Sequence, residues 1–119
     1  MSIFPDPDCL FCKIVAGEIP SERIYENEKI LVFHDISPQA PFHALIIPKI
    51  HISTLNDLPE EQTGLAGSLF LAAKSVAKGH GFSGDGYRVV VNTNKGGGQV
   101  VFHIHMHLLA GRQLTWPPG

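Results

Sequence analysis

Apolar residues along this chain fall into short clusters separated by polar or glycine-proline stretches, with one longer run at helical spacing. Across residues 59–78, Leu65, Leu69, Ala72 and Val76 recur at intervals of three and four. That spacing predicts an amphipathic helix opened by Pro59-Glu60-Glu61 and closed near Gly79 and Gly81. Residues 10–15 predict a short helix that stops near Gly17, since glycine accepts the left-handed C-terminal conformation and Pro20 cannot continue a helix. Ile24-Tyr25 and Ile30-Leu31-Val32-Phe33 flank a polar turn and predict a hairpin, and Ala44-Leu45-Ile46-Ile47 predicts a third strand. Residues 87–92 and 100–109 predict two more, on either side of a glycine-rich turn. The fold class is therefore α+β: a five-stranded antiparallel sheet with one long helix and a short N-terminal helix.

At 119 residues and 44% apolar content, the chain fits one domain spanning residues 1–119. Nine Lys and Arg stand against eleven Asp and Glu, a formal charge of -2 without the basic stripe that a nucleic-acid partner requires. Met1-Ser2-Ile3-Phe4-Pro5-Asp6 has neither a basic nor an apolar leader segment, and no apolar run approaches the roughly 20 residues that span a bilayer. A cytoplasmic protein without membrane contact is expected. The two cysteines, Cys9 and Cys12, have a Cys-x-x-Cys spacing that suits metal coordination or redox chemistry better than a structural disulfide.

The sharpest chemical feature is His103-Ile104-His105-Met106-His107. In a strand, alternation puts three imidazoles on one face and Phe102, Ile104, Met106 and Leu108 on the other. At about 3.3 Å per residue, His103 and His107 lie about 13 Å apart, too far to share one ion, so the three must do different jobs. Imidazoles titrate near neutrality, so a neutral nucleophile and a proton donor can coexist, which suits attack at phosphorus. Just upstream, Gly96-Gly97-Gly98-Gln99 offers main-chain N–H groups that can approach a phosphate closely, although such a run also serves as a plain flexible turn.

His103-Ile104-His105-Met106-His107-Leu108-Leu109 resembles the defining motif of the histidine triad (HIT) family. The resemblance extends through residues 33–41, Ile47-Pro48-Lys49, Val91-Asn92, Gly97-Gly98-Gln99, Gly111-Arg112-Gln113 and Trp116-Pro117-Pro118-Gly119, and is to the Hint branch, the purine nucleoside phosphoramidases. It implies cleavage of the P–N bond of adenosine phosphoramidates, and hydrolysis of aminoacyl-adenylates, through a covalent nucleotidyl-histidine. It also implies a homodimer with a continuous intersubunit sheet, an AMP- or GMP-type purine nucleotide as substrate, and no organic cofactor.

Carried over by resemblance, His105 is the nucleophile, while His107 and His43 bind the phosphate or help protonate the departing amine. Asn92 steadies the phosphate with Gly97, Gly98, Gln99 and Val100. Asp35 accepts from the ribose hydroxyls, and the base lies in a slot of Phe11, Ile14, Ile19, Phe33 and Ile36 with His34 at its edge. Val100 departs from the branch, which commonly has serine there. The loss of that hydroxyl removes one hydrogen bond, worth about 0.5–1.5 kcal/mol. Cys9, Cys12, His51 and His103 match the zinc set of relatives bearing Cys-x-x-Cys, implying a structural zinc. Hydrolysis of dinucleoside polyphosphates, a nucleotide-binding regulatory module and a metal-handling protein are the rival readings.

Overall fold

Strand β3 (Phe42–Pro48) runs through the middle of a five-stranded antiparallel sheet in the computed structural model, which describes residues 5–119. The others are β1 (Arg23–Glu26), β2 (Ile30–His34), β4 (Tyr87–Val90) and β5 (Met106–Ala110), in the spatial order β1-β2-β3-β5-β4. Helix α1 (Leu10–Val15) covers one face of this sheet, and the 17-residue helix α2 (Thr63–Gly79) covers the other. The architecture predicted from the apolar pattern is thus the one observed. The leader reading of Met1-Ser2-Ile3-Phe4 lies outside the described residues.

All seven residues of β3 are buried because both sheet faces are occupied. On one side Ile30, Val32, Phe42, Ala44, Ile46, Met106 and Leu108 meet Leu65, Leu69, Ala73 and Val76 of α2. On the other, Leu31, Phe33, Leu45 and Ile47 meet Phe11, Cys12 and Ile14 of α1. A strand covered on both faces reads as a continuous apolar run, which is why residues 44–47 show no polar alternation. Burial of each such aliphatic side chain contributes about 1.5–3 kcal/mol, so truncating the fully buried Ile46 to alanine would cost about 2–5 kcal/mol.

Two boundaries differ from the sequence reading by more than two residues. Residues 60–62 form a 3-10 turn behind Pro59, and α2 begins only at Thr63. Strand β5 begins at Met106, not at Val100. Two causes are visible. Its neighbour β4 ends at Val90, and β3 ends at Pro48, whose missing N–H cannot extend a ladder. Residues 99–104 are held instead beside residues 48–53, with Ile104 N donating to Ile52 O at 2.6 Å and Gln99 Nε2 donating to Ser53 O at 2.8 Å. The alternation survives: Ile104, Met106 and Leu108 enter the α2-side core while the histidines turn to the α1 side, although Phe102 is exposed. Among the described residues, no helix is long and apolar enough to cross a membrane.

Candidate active site and metal centre

His105 is buried, and its ring stands edge-on to Phe11 at 5.1 Å and to His107 at 5.0 Å. Its Nδ1 lies 2.7 Å from the carbonyl oxygen of His103. A carbonyl only accepts, so Nδ1 carries the proton and Nε2 keeps its lone pair. Burial holds the His105 pKa below the ordinary histidine value, against the opposing pull of that carbonyl and of Asp35. The ring is therefore held as a neutral imidazole whose Nε2 has no hydrogen-bond partner among the described residues.

His43 and His107 form a second, linked unit across β3 and β5. The main-chain N–H of Gln39 donates to His43 Nδ1 at 3.0 Å, which assigns the His43 proton to Nε2. His43 Nε2 lies 2.9 Å from His107 Nδ1 and 3.5 Å from Asp35 Oδ2. Its proton is donated to His107 Nδ1, so His107 carries its own on Nε2. Burial pushes His107 down to about 4, with the neighbouring His105 and His43 adding to the shift, and burial likewise lowers His43. Asp35, His43 and His107 lie close enough to hold an ion. His43, however, has one nitrogen accepting an N–H and the other protonated, which favours a proton chain over a metal site.

The glycine turn corrects the sequence reading. Gly97 N and Gln99 N both donate to Asn94 O, at 3.1 and 3.0 Å, and Gly98 N donates to Lys95 O at 3.0 Å. The Gln99 side chain is buried and fully committed: Oε1 accepts from Asn94 N, while Nε2 donates to Ser53 O and Val101 O. None of these groups is free for a phosphate. The first main-chain N–H after the turn without an intramolecular acceptor among the described residues is that of Val100, a residue 85% exposed. Asn92 lies half-buried against Gly97.

The slot residues divide. Phe11, Ile14 and Phe33 are buried in the α1-side cluster, with Phe11 and Phe33 rings 5.6 Å apart and Ile19 at the margin. Ile36 does not join them, being 97% exposed. His34 follows the β2 alternation to the opposite face, where its ring meets Phe42 at 5.7 Å in the α2-side core. Asp35, one residue on, turns to the histidines, with Oδ1 accepting from Ser37 N at 2.7 Å.

Behind Phe11 sit Cys9, Cys12, His51 and His103, all buried. His103 Nε2 donates to Pro48 O at 2.8 Å, leaving its Nδ1 lone pair aimed at Cys9 Sγ (3.4 Å), Cys12 Sγ (3.6 Å) and His51 Nδ1 (3.3 Å). Cys12 Sγ and His51 Nδ1 are 3.3 Å apart. Around a tetrahedral zinc, with bonds of about 2.0 Å to nitrogen and 2.3 Å to sulfur, ligand atoms stand roughly 3.3–3.8 Å from one another. Two thiols and two imidazoles at this spacing fit zinc. Burial raises the Cys12 thiol to about 11 and lowers His103 to about 4 in the absence of metal, so coordination would displace thiol protons onto solvent.

Sequence reasoning missed the groups that fix these rings, because they are main-chain atoms of Gln39, Pro48 and His103. Main-chain donors and acceptors carry no residue-type signature.

A sequence profile of the HIT domain matches residues 16–114. The chain is 51% identical over 116 residues to a 14 kDa zinc-binding protein of Zea mays, covering 96% of this chain and 90% of that protein. It is 49% identical over 107 residues to the purine nucleoside phosphoramidase of Escherichia coli (strain K12), covering 90% of each. A HIT family hydrolase from Legionella pneumophila Philadelphia 1 superposes with a TM-score of 0.93 at 55% identity, over 94% of this chain and 100% of the other.

Proposed function

The chain belongs to the HIT domain family, and from that premise we propose that it hydrolyses purine nucleoside phosphoramidates, and adenylates, through a nucleotidyl-His105 intermediate. The observation that carries this reading is the His105 ring, neutral and held by His103 O with Nε2 free, beside a hydrogen-bonded His43–His107 pair. The likeness to the E. coli phosphoramidase supports the substrate class.

In the first step His105 Nε2 forms a bond to the α-phosphorus and the P–N bond breaks, its electron pair staying on the departing nitrogen. That nitrogen takes the proton of His107 Nε2, and the proton that His43 Nε2 shares with His107 Nδ1 shifts toward His107. A proton from solvent replaces the one the pair gives up, so both imidazoles remain neutral and the phosphorylated His105 ring carries the positive charge. In the second step water attacks phosphorus, its proton passes through the pair to solvent, and His105 leaves neutral with release of the nucleoside monophosphate. The Val100 N–H and Asn92 steady the phosphoryl oxygens, and Asp35 accepts from the ribose hydroxyls. The apolar margin at Phe11, Phe33 and Ile19 receives the base.

Cys9, Cys12, His51 and His103 would hold a structural zinc that ties the start of α1 to the chain just before His105. Its chemistry is cross-linking, and no substrate bond is made or broken there. The unpaired edge of β4 and the 81% exposed Trp116 support assembly as a homodimer. A cytoplasmic setting agrees with free buried thiols.

Mass spectrometry of enzyme quenched rapidly after mixing with an adenosine phosphoramidate tests the reading. An adenylyl group on His105 is expected, and turnover with no modified histidine at any quench time would overturn it.

A further inference from the structure

The segment that follows β5 makes two contacts that the proposed chemistry leaves unused. Arg112 donates from Nε and Nη2 to one acceptor, the carbonyl oxygen of Gln39, at 3.1 and 3.0 Å. Gly111 has φ +97, and a β-carbon there would stand 2.9 Å from Pro41 Cβ, so the chain passes directly over the loop that joins β2 to β3. Within that loop, Ser37 N donates to Asp35 Oδ1 and Gln39 Nε2 donates to Ser37 O. Gln39 is therefore held from outside by Arg112 at its carbonyl, while its N–H, on the preceding peptide, points inward to His43 Nδ1.

We infer that Arg112 is a positioning residue for proton delivery: by anchoring residue Gln39 at its carbonyl it keeps the Gln39 N–H on His43 and so sets which nitrogens of His43 and His107 carry protons. The inference rests on the proposed phosphoramidase reading and deepens it.

The logic is a chain of donors and acceptors. An N–H facing His43 Nδ1 forbids a proton there, so the proton stays on Nε2 and is donated to His107 Nδ1. His107 is then obliged to carry its proton on Nε2, the nitrogen with no protein partner among the described residues. If Gln39 shifts and its N–H turns away, His43 can hold its proton on Nδ1. The Nε2 lone pair then faces His107, which must answer with Nδ1–H, and His107 Nε2 is left bare with nothing to give a departing amine. Loss of that one N–H reverses the whole relay. Arg112 suits this task because a guanidinium can put two N–H groups on a single carbonyl, whereas lysine supplies one point donor.

Arg112 is exposed, so Arg112→Ala removes little packing and keeps the fold. The experiment reads the imidazole nitrogens of His43 by nitrogen-15 NMR in the wild-type chain, Arg112→Ala and Arg112→Lys. It pairs this with steady-state kinetics on two AMP derivatives, one with an alkylamine and one with a p-nitrophenolate leaving group. The wild type should show His43 Nδ1 unprotonated and Nε2 protonated. In Arg112→Ala, Nδ1 should become partly protonated, and kcat for the alkylamine substrate should fall about tenfold with KM within about twofold, a fraction of what a general acid supplies. The p-nitrophenolate substrate, whose leaving group needs no proton, should be turned over within about twofold of wild type. Arg112→Lys should recover part of both signals.

Unchanged His43 nitrogens in a folded Arg112→Ala chain would overturn the inference, as would an equal loss of rate on both substrates. Failure of the underlying reading is a separate result: a wild-type enzyme that turns over neither substrate, whatever the state of His43.

Discussion

His105 Nδ1 donates to the carbonyl oxygen of His103 at 2.7 Å, while the His103 ring is turned into the cluster of Cys9, Cys12 and His51. One residue thus serves two centres, its side chain in the metal-type cluster and its main chain on the proposed nucleophile. Since Ile104 N is bonded to Ile52 O, the stretch between the two histidines is also pinned to the segment carrying His51. The two centres are coupled through a short length of extended chain, and each can be perturbed separately.

Replacing His105 with alanine should lower kcat on any nucleoside phosphoramidate by about a thousandfold or more, because the covalent route disappears. Zinc content should stay at the wild-type value, since all four candidate ligands remain. Paired kinetics and elemental analysis check both statements. Turnover within tenfold of wild type, in a variant with native circular dichroism, would remove His105 from the mechanism.

Chelating the proposed zinc should destabilise the protein markedly, because four buried side chains lose their common partner. A loss of about 3 kcal/mol corresponds to a fall in Tm on the order of 10 °C for a chain of this size. Calorimetry of chelated and zinc-repleted protein, with elemental analysis giving one zinc per chain, makes the measurement. Identical Tm values before and after repletion would exclude a structural metal.

His107 makes stability depend on acid in a defined direction. Its folded-state pKa is pushed down to about 4, whereas an unfolded histidine titrates near 6.5. Between those values the unfolded chain binds more protons than the folded one, so stability falls as pH drops from about 6.5 to about 4 and is indifferent to this group above that window. Denaturant unfolding at pH 7, 5.5 and 4.5 should show a steeper loss in wild type than in His107→Asn. Parallel curves for the two proteins would show that His107 is not held neutral by the fold.

Much of this architecture was legible because it follows from periodicity. The 3.6-residue spacing of Leu65, Leu69, Ala72 and Val76 marked α2, and the alternation of His103, His105 and His107 with apolar residues marked which side chains share a face. What periodicity cannot carry is where hydrogen bonding stops. Val100 to Phe102 are apolar enough for a strand, yet no neighbour extends far enough to pair with them. The site was legible in its residue types more than in their use. Gln99 has the amide a phosphate would want, but its position beside Asn94, Ser53 and Val101 spends that amide on the loop itself. His34 and Asp35 are neighbours in sequence and face opposite sides of the sheet, which makes one part of the α2-side core and the other part of the histidine cluster.

Val100 offers the most direct gain-of-function test. The N–H groups of Gly97, Gly98 and Gln99 before it are satisfied within the turn, so these three leave the phosphate side of the proposed site to the Val100 N–H and whatever that side chain can add. Valine adds no donor. A serine hydroxyl at the same position could donate to a phosphoryl oxygen, a hydrogen bond worth about 0.5–1.5 kcal/mol, or about two- to tenfold in kcat/KM. The residue is 85% exposed, so Val100→Ser should leave the unfolding free energy within about 0.5 kcal/mol of wild type and separate catalysis from stability. Steady-state kinetics on one phosphoramidate, alongside denaturant titration, decides the matter. A rise in kcat/KM with unchanged stability identifies position 100 as a contact to the reacting phosphate. No change, or a fall, would place the phosphate away from this residue and move the search for its ligands to Asn92 and His107.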